Sequence, residues 1–157
     1  MENKNNLIIS GNGKGNRAVI FMWLRYVPLV ILGIVLIVFS TEIENLLYIS
    51  RAFGLFLGLL IVIGGALETI IKHICITKTQ INVYENSIAG RGVSKSFNFG
   101  AYTTKNFKLM YNQITSLESV KSSIVVHSSG TQYRVYVPNP DEIKNTIFKL
   151  KQGETSQ

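Results

Sequence analysis

The sequence is short of cysteine and of charge. Cys75 is the one cysteine in 157 residues, so no intramolecular disulfide can form and no metal-ligand spacing of cysteines exists. A reducing, cytoplasmic setting suits such a chain. Charged residues make up 16% of the chain, against about 25% in an ordinary soluble domain. With 46% hydrophobic residues, the composition indicates a membrane protein with one modest globular part.

Patterns that mark enzymes are also missing. The sequence has no H-E-x-x-H, G-x-S-x-G or paired-carboxylate arrangement. The segment GNGKG at 11–15 lacks the G-x-x-x-x-G-K-[ST] spacing of a phosphate-binding loop. No set of side chains supplies an acid, a base and a nucleophile together. We therefore expect a protein that is not an enzyme, with no catalytic residue, no cofactor and no metal.

What the chain does contain is two long apolar runs between residues 18 and 71. The first, at about 19–39, and the second, at about 52–71, are each long enough to cross a hydrocarbon core of roughly 30 Å. A cleaved signal peptide is the rival explanation of the first run, but the apolar part of a signal peptide is usually about 7 to 15 residues long. We predict a transmembrane hairpin over residues 18–71.

Lysine and arginine border this hairpin on both outer sides. They are Lys4, Lys14 and Arg17 before the first span and Lys72 and Lys78 after the second. The connecting segment, residues 40–51, carries Glu42 and Glu44 against Arg51. Because Lys and Arg concentrate on the cytoplasmic side of membranes, we expect both termini to be cytoplasmic. Residues 1–17 are polar and rich in Gly and Asn, which predicts a flexible cytoplasmic tail.

Small residues and two charges predict contacts within the hairpin. A G-x-x-x-G step and a third glycine share one face of the second span: Gly54, Gly58 and Gly65. Another helix can approach this face closely, either the first span or a second copy of the chain. Glu68 precedes Lys72 at the i,i+4 spacing of an ion pair. We also predict an ion pair across the hairpin between Arg25 and Glu68.

From residue 72 the pattern becomes that of a small soluble domain. Seven short segments rich in Ile, Val, Tyr, Phe and Thr are separated by turn residues. They are ICIT, QINVYE, SIAGRGVSKSF, NFKLMY, QITSLES, SSIVVHS and QYRVYVP. Alternation is clearest around Ile81 and Val83 and around Val135 and Val137. We predict about seven strands in a small antiparallel barrel or sandwich.

One helix is predicted to close this domain. Asn139 suits the N-cap and Pro140 suits the first helical position. Asp141 and Glu142 then place negative charge in the first turn, which explains both carboxylates without catalysis. The apolar face consists of Ile143, Ile147, Phe148 and Leu150. The predicted domain spans residues 72–151, and a disordered tail is expected at 152–157.

Three stretches carry a resemblance to a known family. They are ITKTQINVYENSIAGRG at 76–92, LMYNQITSLESV at 109–120 and YRVYVPNPDEIKNTI at 133–147. In these stretches, and in the preceding hairpin, the chain resembles bacterial membrane-anchored proteins with a PH-like (pleckstrin-homology-like) domain. The resemblance implies an α+β fold: a two-helix transmembrane hairpin followed by a small antiparallel PH-like β-barrel closed by one C-terminal α-helix. It also implies a multi-pass protein of the bacterial inner membrane.

The expected function is recognition at the cytoplasmic face of the membrane. Because sheet edges accept extended peptides, we predict a non-catalytic module that binds a protein segment or assembles with itself. The alternative is an anionic-lipid sensor, with five cations as candidate lipid contacts: Lys78, Arg91, Lys105, Lys108 and Lys121. A third, less favoured expectation is an accessory role in membrane stress or peptide resistance. Although the net charge is +7, a domain beside a membrane is not expected to bind nucleic acid.

Overall fold

The computed structural model describes residues 6–47, 50–95 and 102–154. The fold is α+β, with two long apolar helices, a curled antiparallel sheet that forms half a barrel, and a C-terminal helix. The chain divides into two compact units. One unit is the helical segment Val19–His73, and the other joins the residues up to Ala18 with those from Ile74 onward.

Three helices make up the apolar part of the chain: α1 (Arg17–Val38), α2 (Ser40–Leu47) and α3 (Arg51–Thr77). Both α1 and α3 are long and apolar enough to span a membrane, and they contain most of the two predicted runs. The segment ICIT at 74–77, predicted to be a strand, is instead the last turn of α3. That prediction was wrong because β-branched composition suggested a strand, while no Gly or Pro interrupts the helix after Gly65.

Glycines set the contact between α1 and α3. A Cβ on Gly58 would lie 2.7 Å from Ile37 Cγ1 and 2.8 Å from the backbone oxygen of Gly33, so only glycine fits there. A Cβ on Gly65 would lie 2.7 Å from the ring of Tyr26. The predicted glycine face of the second span therefore packs against the first span of the same chain. Gly33 on α1, which was not among the predicted contact residues, completes this close approach.

The sheet has seven described strands, all paired antiparallel. They are β1 (Leu7–Asn12), β2 (Gln80–Tyr84), β3 (Ser87–Lys95), β4 (Tyr102–Met110), β5 (Ser116–Val120), β6 (Ser123–Ser128) and β7 (Thr131–Tyr136). Their order is β1-β2-β3-β7-β6-β5, and β4 pairs with β3 on its other side. Within the described part of the chain, β1, β4 and β5 are therefore the edge strands.

Strand β1 corrects the prediction that residues 1–17 are a flexible tail. It pairs with β2 in a register that places Ile9 opposite Val83 and Gly11 opposite Ile81. Ile9 packs against the core, and the burial of its side chain stabilises this otherwise polar segment in the sheet. The predicted number of seven strands is met, but one of them precedes the helices and six follow them. Residues 1–5 lie outside the described residues.

The core lies inside the curl of the sheet. It is built from alternate positions of the strands and one face of the closing helix: Ile81, Val83, Ile88, Phe107, Tyr111, Ile114, Ile124, Val126, Val135, Val137, Ile143 and Ile147. Tyr111 is fully buried, and its hydroxyl donates a hydrogen bond to the backbone oxygen of Tyr84. These positions confirm the predicted alternation of β2 and of the segment around Val135.

Helix α4 (Pro140–Glu154) begins at the predicted residue. The side-chain amide of Asn139 donates to the Glu142 carboxylate at 3.2 Å, which holds the first turn. The helix continues to Glu154, so residues 152–154 are not part of a disordered tail. Residues 155–157 lie outside the described residues. Phe148, predicted to lie on the buried face, is 49% exposed.

Candidate functional site

Strand β5 is an edge strand without the lysine or proline that commonly protects edges, although Glu118 is exposed on it. It pairs with β6 from Ser116↔His127 to Val120↔Ser123, and its other side pairs with none of the described strands. Its sequence, SLESV, contains neither Lys nor Pro. The edge strand β4, by contrast, exposes Lys105 and Lys108. Because lysine and proline on an edge discourage strand addition, β5 is the more open of these two edges.

An apolar groove lies between this strand and α4. Its volume is about 380 Å³. It is lined by Ile114, Thr115, Ser116 and Leu117 on the strand side and by Ile147, Phe148, Lys151 and Gln152 on the helix side. Ile114 and Ile147 are buried in its floor, while the Phe148 ring is half exposed on its rim. We call this feature the β5–α4 groove.

Two side-chain contacts hold the walls of the β5–α4 groove together. Near the start of α4, the Ser119 hydroxyl donates to the Asp141 carboxylate at 2.6 Å. Near the end of α4, Lys151 Nζ donates to the backbone oxygen of Ile114 at 2.7 Å. The start of α4 is therefore attached to β5 and its end to the segment just before β5, so both walls of the groove are held in place without a ligand. Asp141 has a structural role here, as the sequence predicted, although its partner Ser119 was not foreseen.

The opposite end of the sheet is where the chain enters and leaves the helical unit. Asn16, 1% exposed, donates to the backbone oxygen of Ser122 at 2.9 Å and accepts from the Ala18 amide at 2.8 Å. Thr79, also 1% exposed, accepts through Oγ1 from the Tyr136 amide at 3.1 Å. We call the end of the sheet marked by these residues the junction end. The β5–α4 groove opens at the other end, where Ser116 faces His127 across the β5–β6 ladder.

The five predicted lipid contacts do not line the β5–α4 groove. Lys78 precedes Thr79, Arg91 is the register partner of Gln80, and Lys121 precedes Ser122, so all three lie at the junction end. Lys105 pairs with Gly92, one position beyond Arg91, and lies at the same end. Lys108 pairs with Ala89 in the middle of the sheet. Arg91 Nε also donates to the side chain of Asn106 at 2.8 Å.

The predicted ion pair across the hairpin is replaced by one along α3. Glu68 pairs with Lys72, as the i,i+4 spacing predicted. Among the described residues, no ion pair within 4.0 Å joins Arg25 to Glu68. The reason is the rotation of α1: Tyr26 faces α3 and donates its hydroxyl to the backbone oxygen of Val62 at 2.6 Å. Arg25, about 100° around the helix from Tyr26, is exposed.

A group of polar side chains lies on the outer face of β5 and β6. Ser116 is the register partner of His127, and Glu118 Oε1 lies 3.7 Å from His127 Nε2. Among the described residues, no hydrogen bond joins Ser116 to His127, and Nε2 has no hydrogen-bond partner. A nucleophile and its base are normally joined by such a hydrogen bond, which these two residues do not show. No group of three or more His, Cys, Asp and Glu residues within 6–47, 50–95 and 102–154 could hold a metal ion.

Sequence reasoning missed the β5–α4 groove itself. Leu117 and Phe148 were both recognised as apolar, but 31 positions separate them, and no local pattern shows that they flank one opening. The one available signal was Phe148, a fourth apolar residue on a helix whose narrow buried face needs only Ile143, Ile147 and Leu150. Comparison with family models, with curated proteins and with solved structures finds no match for this chain.

Proposed function

We propose that this chain is a non-catalytic, membrane-anchored interaction module whose β5–α4 groove binds an extended segment of another protein. The observation that carries the proposal is the coincidence of a free strand edge with a preformed apolar groove beside it. An extended segment added to β5 gains main-chain hydrogen bonds, and its alternate side chains enter the groove. The curled sheet with one closing helix is in keeping with a PH-like domain.

The charge and shape of the groove indicate which side chains the bound segment should carry. Leu117 and Phe148 offer apolar surface for one or two large aliphatic or aromatic side chains. The exposed cation beside the groove is Lys149 on α4. We therefore expect an extended segment that combines an apolar anchor with an acidic residue placed to meet Lys149.

The topology supports a particular arrangement in the membrane. Residues before α1 and after α3 belong to the same sheet, because β1 pairs with β2. If both helices cross a membrane, the chain must return to the side on which it began. The excess of Lys and Arg outside the hairpin supports the cytoplasmic side, and we propose the inner membrane of a bacterial cell as the location.

The test uses random extended decapeptides displayed on phage and the full chain in nanodiscs. Selected peptides are synthesised, and their affinity is measured for the wild type, Phe148→Glu and Met110→Glu. Met110 is the matched control, because it is 48% exposed and its side chain does not line the groove. We expect Phe148→Glu to weaken binding at least about tenfold, because it replaces an apolar contact surface with a charge. Met110→Glu should leave the affinity within about twofold of the wild type.

Two results would overturn the proposal. One is a panel of selected peptides whose affinity Phe148→Glu and Met110→Glu change equally. The other is a chain that selects no peptide but forms dimers that Phe148→Glu dissociates, which would assign the groove to a second copy of the chain.

A further inference from the structure

Positive charge is unevenly distributed along the sheet. The exposed or half-buried cations at the junction end are Lys14, Arg17, Lys78, Arg91, Lys105 and Lys121. Each is placed there by sequence neighbours or strand register: Lys14 and Arg17 flank Asn16, and the other four were located above. They come from five separate parts of the chain, so only folding brings them to one end.

The groove end of the sheet does not have this excess of positive charge. Its turns and the last turns of α4 carry four charged residues among those described: Glu85, Lys149, Lys151 and Glu154. The acids nearest the junction end are Asp141 and Glu142, at the start of α4. Asp141 accepts from Ser119 and Glu142 accepts from Asn139, so both carboxylates have neutral partners and pair with none of the six cations.

We propose that the junction end is a second interaction surface, which contacts the anionic headgroups of the bilayer that α1 and α3 cross. Connectivity carries the argument: Arg17 is the first residue of α1, and Lys78 follows the last residue of α3. These two side chains stand at the ends of the apolar helices, on the side where the headgroups of a crossed bilayer begin, and charges there act over a screening length of about 8 Å at physiological ionic strength. Lys and Arg are attracted there by the negative surface potential.

This surface is independent of the proposed peptide site. Lys78 and Lys121 lie at the junction end, and the groove lies at the other end of the same sheet. A soluble fragment starting at residue 72 is not a valid sample for testing it, because that fragment lacks β1 and Asn16. The full chain in nanodiscs is therefore required.

The experiment uses a phosphatidylglycerol analogue with a photoreactive diazirine in its headgroup, added in trace amounts to phosphatidylcholine nanodiscs. Crosslinked peptides are mapped by mass spectrometry. We expect crosslinks within residues 13–18, 78–80, 91–92, 104–106 and 119–123, and none within 84–87, 111–116 or 149–152. Excess unlabelled phosphatidylglycerol should suppress these crosslinks severalfold, while excess phosphatidylcholine should not.

A pair of double variants separates this surface from general attraction to the membrane. Lys78→Gln with Lys121→Gln removes two charges at the junction end, and Lys144→Gln with Lys149→Gln removes two charges from α4. The first pair should reduce crosslinking of residues 119–123 severalfold, and the second should leave it unchanged. Crosslinks spread evenly over both ends, equal effects of the two pairs, or equal competition by the two lipids would each overturn the proposal. Crosslinks to α1 and α3 serve as the control that each variant is inserted in the nanodisc bilayer.

Discussion

Asn16 and Ser122 are 106 positions apart in the sequence, yet the Asn16 side chain donates to the Ser122 backbone oxygen at 2.9 Å. The same side chain accepts from the amide of Ala18, where it caps the start of α1. One buried amide thus ties the segment before the first apolar helix to the β5–β6 turn. The segment before α1 is therefore part of the folded domain and not a flexible tail.

Asn16→Leu should destabilise the domain by about 1–3 kcal/mol, because it leaves a buried carbonyl and an amide without partners. The control is Asn145→Leu, at an exposed position on α4, which should change stability by less than about 0.5 kcal/mol. Denaturant titration of the full chain in detergent, followed through amide signals of β5 and β6, measures both. Equal effects of the two substitutions would contradict the assigned role of Asn16.

Gly11→Val should detach β1 from the sheet. A Cβ at this position would lie 2.7 Å from Ile143 Cδ1 and 2.8 Å from Val137 Cγ1, so a larger side chain collides with the core. Ser10→Val is the matched control, since Ser10 is the adjacent, exposed position of the same strand. Hydrogen exchange at Ile81 and Val83 should become at least about tenfold faster in Gly11→Val, a loss of about 1.4 kcal/mol, and should not change in Ser10→Val. Unchanged exchange in both variants would mean that β1 does not support β2.

Gly58→Val should disrupt the packing of α3 on α1. The added side chain would meet Ile37 and the backbone of Gly33, and the backbone cannot move aside without separating the helices. Gly64→Val is the control, because a Cβ there meets nothing within 4 Å. We expect a loss of about 1–3 kcal/mol for Gly58→Val and little change for Gly64→Val, measured as the unfolding free energy of the full chain in bicelles. The reverse order would show that another face of α3 carries the contact.

Lys151→Met should loosen the end of α4 while preserving most of the apolar stem. The variant loses the bond from Lys151 Nζ to the Ile114 oxygen, which is worth about 1 kcal/mol. Lys149→Met removes the same charge at an exposed position nearby and should have a smaller effect. Hydrogen exchange of the last two turns of α4 compares the variants, and equal rates in the two would rule out this contact as the attachment.

Local signals predicted the parts of the fold whose causes are local. The start of α4 follows from Asn139 and Pro140, and the buried faces of β2 and β7 follow from the alternation at Ile81, Val83 and Val135. The contact of the glycine face with the first span follows from helical spacing. In each of these cases, the residues that form the pattern belong to the same helix or strand as the feature they predict, or to its neighbour in the chain.

Local sequence patterns did not predict the contacts between segments that are far apart in the chain. Strand β1 is six residues of mixed polarity, and its partner β2 begins 68 positions after β1 ends, beyond both apolar helices. The end of α3 was predicted as a strand because ICIT is rich in β-branched residues, while the helix continues through it. The β5–α4 groove depends on where α4 lies against β5, which the bonds of Asp141 and Lys151 determine. None of these partners can be identified from spacing along the chain.

The most direct test of the central claim is hydrogen exchange across the three edge strands of the full chain in nanodiscs, with and without a peptide selected from the displayed library. If the peptide adds to β5, exchange slows at Ser116–Val120 and changes little in the other two edges, β1 and β4. Protection that appears in β1 or β4 while β5 exchanges at its unbound rate would contradict binding at β5.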